Sequence, residues 1–157
     1  MIQVTRQAIN PDAVTETVLD PANGGVVTFL GTTRNHTSDR AVVSLEYEAY
    51  EEMAYKELER IAQEAQVNFG VRTVSIVHRF GHLDIGDISL VVAVGSAHRK
   101  EAFAAAQYTV DRIKETVPIW KKEVFEDGEV WVGIDACYAE GDQEPHSSSV
   151  SAHSHAG

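Results

Sequence analysis

Two strongly apolar runs, TVSIVHRF (73–80) and DISLVVAVGS (87–96), follow each other with only a short loop between them, punctuated by Gly81 and Gly86. Both read as strands, and no helix fits in the gap. A regular parallel α/β fold needs a long crossover between neighbouring strands, so this chain requires a mixed or antiparallel sheet. The remaining segments agree. IQVTRQ (2–7) alternates like a short strand, GGVVTFLG (24–31) reads as a buried strand, and VSLEYEAY (43–50) puts Leu45 and Tyr47 on one face. The final strand is expected at EVWVGIDACY (129–138), after a turn at Asp127-Gly128.

Helices are expected between these strands. Asn10-Pro11-Asp12 starts the first, since Asn10 can cap and Pro11 suits the first helical position. Ile9 and Val14 have the spacing of a hydrophobic staple, and Asp20-Pro21 marks the expected end. Over 51–69 a stripe of Ala54, Leu58, Ile61, Ala62, Ala65 and Phe69 has helical period. Over 97–117, with Ser96 as the expected N-cap, a second stripe runs through Ala102, Phe103, Ala106, Val110, Ile113 and Val117 until Pro118 stops it. RNHTSDR (34–40) reads as a polar loop. The expected organisation is α+β, with one domain over 1–140 and a low-complexity His/Ser tail over 141–157 that is expected to be disordered.

The net charge of −11 disfavours a general nucleic-acid binder, but its distribution is more informative. No Lys or Arg follows Lys122, whereas residues 98–122 hold six basic groups against three acidic ones. A locally basic segment in an acidic chain suits a small anion or an acidic partner surface, and equally a solvated helix face. The single cysteine, Cys137, excludes an internal disulfide, and it is expected to be a buried strand residue. No stretch reaches the roughly 18 apolar residues of a membrane span. The N-terminus also lacks a signal-peptide pattern, so a soluble, cytoplasmic setting is expected.

Three segments carry candidate chemistry. SAHRKEAF (96–103) puts His98 and Arg99 at a helix start, where unpaired N–H groups and a guanidinium fork suit a phosphate or carboxylate. A surface arginine beside a capping or core histidine is the plainer alternative. KETVPIWKKE (114–123) puts Lys114 in a last helical turn and Lys121 just beyond Pro118, beside Trp120. A lysine against apolar surface makes a better nucleophile or proton shuttle. From spacing alone, helix-end charge and solvated lysines account for it equally well. FLGTTRNH (29–36) sends Arg34 into a strand-end loop. For metals, only His146, His153 and His155 in the tail have any ligand character, and no metal site is expected in the body.

Taken in order, GGVVTFLGTTRNH, LEYEAYEEMA, VHRFGHLDIGD, SAHRKEAF and KETVPIWKKE with EVWV resemble the large-subunit family of molybdopterin synthases, across about residues 24–132. Asp87, where the pattern has glutamate, is a mild departure. The resemblance implies an α/β hammerhead-type fold with flanking helices, and a dimer of large subunits within a heterotetramer. It implies a ubiquitin-like small subunit whose C-terminal Gly-Gly thiocarboxylate supplies the sulfur, with no other cofactor. Cyclic pyranopterin monophosphate would be the substrate and molybdopterin the product, after two sulfur transfers. Lys114 and Lys121 would be catalytic. Arg34, His98 and Arg99 would bind the phosphate, with His98 contributed across the dimer as one arrangement. Phe29 and Trp120 would wall the pocket, and Glu123 would orient a lysine. Three other readings use the same residues: a non-catalytic pterin- or phosphate-binding module, a scaffold for a ubiquitin-like protein, and a lysine Schiff-base enzyme.

Overall fold

The structure is a computed structural model in which residues 1–132 are described. Cys137, the tail over 141–157 and most of the expected last strand lie outside the described residues. The described residues form two sheets and three helices, in the order β1 (Ile2–Thr5), α1 (Pro11–Glu16), β2 (Gly25–Thr32), β3 (His36–Thr37), β4 (Arg40–Ala49), α2 (Glu51–Phe69), β5 (Thr73–Arg79), β6 (Gly81–Asp84), β7 (Ile88–Ser96), α3 (Arg99–Thr116), β8 (Ile119–Phe125) and β9 (Gly128–Val132).

The first sheet has the order β1-β5-β7-β2 and the second β3-β4-β8-β9, with β6 also paired to β4. Among the described residues only β1 and β5 pair in parallel, and every other pairing is antiparallel. The α+β expectation is therefore met. The adjacent apolar runs do lie near each other, as β5 and β7, which pair from Thr73↔Gly95 to His78↔Leu90.

Alternation sorts the two faces of the first sheet. Ile76, Val92 and Val94 join Leu58, Ile61 and Ala65 of α2 and Ala102, Ala106 and Ile113 of α3 in the main core. Leu45, Leu83, Ile119 and Phe125 carry that core onto the second sheet. On the reverse face Val77, Val91 and Ala93 form a smaller core with Val14 and Val18, with Ile9 packed against it. The central strand β7 is buried along nearly its whole length because helices cover both faces.

Four boundaries differ from the sequence expectations, each for a local reason. α1 keeps its Asn10 cap, which accepts from the Asp12 and Ala13 amides, but it ends at Glu16. There the Thr17 hydroxyl takes the Val14 carbonyl, and the chain turns away well before Asp20-Pro21. Ser96 does not cap α3; it is the buried last residue of β7, and His98 occupies the cap position without a side-chain hydrogen bond. The loop between Gly81 and Gly86 contains β6, which pairs with Ser44–Tyr47 of β4. Finally, Arg40 joins β4, and residues 36–41 make a tight hairpin inside the expected polar loop. Among the described residues, no helix is long and apolar enough to cross a membrane.

Candidate functional site

Pro118 ends α3 as expected, but the chain beyond it becomes β8, pairing with β4 from Val42↔Phe125 to Ala49↔Ile119. The alternation of β8 turns Ile119, Lys121, Glu123 and Phe125 towards the core, and Trp120, Lys122 and Val124 away from it. Two charged side chains therefore enter an apolar face. They pair with one another: Lys121 Nζ lies 3.3 Å from Glu123 Oε2, and only 16% and 8% of the two side chains is exposed. The Thr37 hydroxyl donates to the same carboxylate oxygen at 3.1 Å. Lys122, on the outer face, pairs instead with Glu46 at 3.7 Å.

Tyr47 of β4 lies directly across from Lys121. Its ring meets His78 edge-on at 5.7 Å, and His78 stacks on Phe80 at 4.7 Å with the planes 7° apart. Burial pushes the His78 imidazole down to about 4, despite a compensating Nδ1–H bond to the Arg79 carbonyl. The aromatic backing of Tyr47 is therefore neutral at physiological pH.

The sequence-predicted residues fall into two groups. Lys121 and Glu123 share one face, as described. Lys114 lies in the last turn of α3, half-buried. Because α3 packs on β7 and β2, it runs back along them, and roughly 22 Å separates Arg99 from Lys114 at 1.5 Å per residue. Arg34 is exposed just past the C-terminal end of β2, where Thr33 bonds the Asp87 carbonyl. Phe29 sits on the core face of β2, packed against the main cluster. Lys114, Arg34 and the β8 pair thus lie towards one end of the molecule. Trp120 departs from the expectation that it walls the lysine pocket: it projects from the opposite face of β8 and meets Tyr50 edge-on at 6.3 Å.

His98 and Arg99 occupy the other end. Gly24 and Gly25 let the start of β2 press against the start of α3; a Cβ on Gly25 would stand 2.8 Å from Arg99 Cα. Since β2 spans Gly25–Thr32, at about 3.3 Å per residue Arg34 lies on the order of 25 Å from this pair. One chain does not bring Arg34 together with His98 and Arg99. Among the described residues, no cluster of three or more metal-ligating side chains occurs.

Comparison with known proteins matches the chain to one family. The family model described as "MoaE protein" covers residues 4–116. The chain belongs to the MoaE family. One relative, the molybdopterin synthase catalytic subunit of Bacillus subtilis, is 44% identical over 131 residues, covering 83% of each chain. The solved molybdopterin synthase structure from Staphylococcus aureus superposes with a TM-score of 0.81 at 42% identity, covering 84% of this chain and 96% of that one. A complex of subunits 1 and 2 of the molybdopterin-converting factor from Helicobacter pylori shares the MoaE fold at a TM-score of 0.68. At 21% identity, over 82% of this chain and 88% of that one, the likeness to that complex concerns the fold alone.

Thr37 and Tyr47 are the site-lining residues that the sequence did not reveal. Thr37 reaches Glu123 only because of the β3–β4 hairpin, and Tyr47 meets Lys121 only through strand register.

Proposed function

We propose that this MoaE-family chain is the catalytic subunit of a molybdopterin synthase, a sulfurtransferase of molybdenum cofactor biosynthesis. The likeness to named catalytic subunits over most of both chains carries the activity. The inward-facing Lys121–Glu123 pair supplies a reactive centre to go with it. Sulfur arrives on the C-terminal thiocarboxylate of a ubiquitin-like small subunit, and the acceptor is cyclic pyranopterin monophosphate. The Helicobacter pylori neighbour, which shares the fold, was itself solved as a complex of two subunits.

In this reading Lys114 stands by the thiocarboxylate and stabilises the negative charge that develops during transfer. Lys121 moves protons or holds substrate during ring opening and sulfur addition, with Glu123 fixing its position. Arg34 takes the phosphate, and Phe29 contributes apolar wall.

His98 and Arg99 complete this site from a second copy. β2 is the edge strand of its sheet among the described residues, and Val26, Leu30 and Phe103 beside it are exposed. Such an edge invites pairing. Pairing β2 with its own copy about a two-fold axis runs the two strands antiparallel, which sets the Gly25 end of one against the Thr32 end of the other. His98 and Arg99 of one copy then face Arg34 of the other, which accounts for their separation within a chain.

The test is sulfur transfer with thiocarboxylated small subunit and cyclic precursor, followed by mass analysis of the pterin. Lys114→Ala and Lys121→Ala are each expected to lower the rate by at least roughly a hundredfold, the scale of general acid–base catalysis. Wild-type rates in both variants would sink the proposed centre. A binding module or scaffold gives no dithiolene product even with the unmodified chain.

A further inference from the structure

Glu123 is 6% exposed, so its carboxylate depends on protein donors. Two reach the same oxygen, Oε2: the Lys121 ammonium at 3.3 Å and the Thr37 hydroxyl at 3.1 Å. Lys121 is a neighbour on the same strand, whereas Thr37 belongs to the hairpin that follows Arg34. That hairpin is held in place at several points. Thr33 donates to the Asp87 carbonyl through both its amide, at 3.0 Å, and its hydroxyl, at 3.2 Å. The Val42 amide bonds the Asn35 carbonyl at 2.9 Å, and Thr37 pairs with Arg40 across a turn in which Ser38 takes a φ of 55°. Arg40 lies 3.6 Å over the Phe125 ring and bonds Asp127 at 2.7 Å. The Thr37 hydroxyl is thus delivered to Glu123 by a braced turn.

We propose that Thr37 is a positioning residue for Lys121, acting through the shared Glu123 oxygen. This rests on the reading of Lys121 as a catalytic group. Two donors on one oxygen divide its capacity to accept. Without the hydroxyl, the buried carboxylate must be satisfied by the ammonium, and Lys121 is drawn inward against Glu123 and away from the substrate. With it, Glu123 steadies Lys121 without capturing it. Nothing in the pattern 34–40 announces this role, because the donor and its acceptor are 86 positions apart.

The experiment measures sulfur transfer by the complete complex, with thiocarboxylated small subunit and cyclic precursor. It compares Thr37→Val, Thr37→Ala, Thr37→Ser, Glu123→Gln, Thr37→Val with Glu123→Gln, and Lys121→Ala. Thr37→Val is expected to lower kcat roughly tenfold with little change in KM, as befits one lost donor to a charged acceptor. Thr37→Ser should restore most of the rate, because it returns the hydroxyl. In the Glu123→Gln background the valine should add almost no further loss, since the two act through one atom. Thr37→Ala keeps the comparison in force if valine disturbs the hairpin. A kcat within about twofold of wild type in both Thr37→Val and Thr37→Ala, no rescue by serine, or multiplying losses in the double variant overturns the proposal. Lys121→Ala separates the two levels. A wild-type rate there defeats the catalytic reading itself; an inactive Lys121→Ala beside a fully active Thr37→Val defeats only the role of Thr37.

Discussion

Substituting Gly25 by alanine tests the contact that places His98 and Arg99. The added Cβ would meet Arg99 Cα at 2.8 Å, Arg99 N at 2.9 Å and the His98 carbonyl carbon at 3.1 Å. Ordinary van der Waals contact for a Cβ begins near 3.4 Å, and all three atoms are backbone, so no rotamer change relieves the clash. Either α3 shifts outward by a substantial fraction of an ångström or β2 bends. Overpacking of this kind costs about 1–3 kcal/mol. A chain of this length loses roughly 2–4 °C of Tm per kcal/mol, so a cost near 2 kcal/mol lowers Tm by about 4–8 °C. The same shift moves His98 and Arg99, and if they hold the precursor's phosphate as proposed, misplacement on the ångström scale should raise its KM about tenfold. Thermal unfolding followed by circular dichroism, together with steady-state kinetics, measures both. Gly70→Ala is the control: it has no neighbour within 4 Å but a φ of 66°, so its cost is conformational and should leave KM alone. A Gly25→Ala protein with Tm within about 1 °C of wild type and an unchanged KM would refute the packing argument.

Two further outcomes follow from the structure. Mixing inactive Arg34→Ala and Arg99→Ala chains, then denaturing and refolding them together, should restore up to about a quarter of wild-type activity, because half the dimers are hybrids with one intact site of two; no recovery would place both arginines in a single-chain site. His78 ties stability to pH. Its folded value of about 4 lies below the ordinary 6.5, so the unfolded chain binds the extra proton between those values. This contribution is fully present above pH 6.5 and is lost as pH falls towards 4, amounting to about 3 kcal/mol at 1.36 kcal/mol per unit. Urea titrations from pH 7 to 4 should show His78→Phe losing less stability than wild type by about that amount, and equal losses would remove His78 as the cause.

The helices and the two long sheet strands were legible because their signals are local. Asn10 and Pro11 announce a helix start by backbone chemistry alone, and the stripes of α2 and α3 and the apolar runs of β5 and β7 need only periodicity. β8 was not legible as a strand. Its inward positions include Lys121 and Glu123, which invert the apolar-in pattern; they pair with each other, and Glu123 also accepts from the Thr37 hydroxyl. Ser96 misled for a related reason: it has the chemistry of a cap, yet β7 extends through it and buries it.

The residue types of the site were likewise readable, but not their grouping. The sequence by itself determined the α+β class, the helix starts and the basic residues suited to an anion, since each depends on neighbours within a few positions. The tertiary structure decided that Lys121 lies inward against Glu123, that Trp120 faces away, and that Arg34 stands at the opposite end of β2 from His98 and Arg99. Those facts depend on strand register and direction, where one step reverses a side chain's face and one antiparallel pairing sends two loop residues to opposite ends of a sheet.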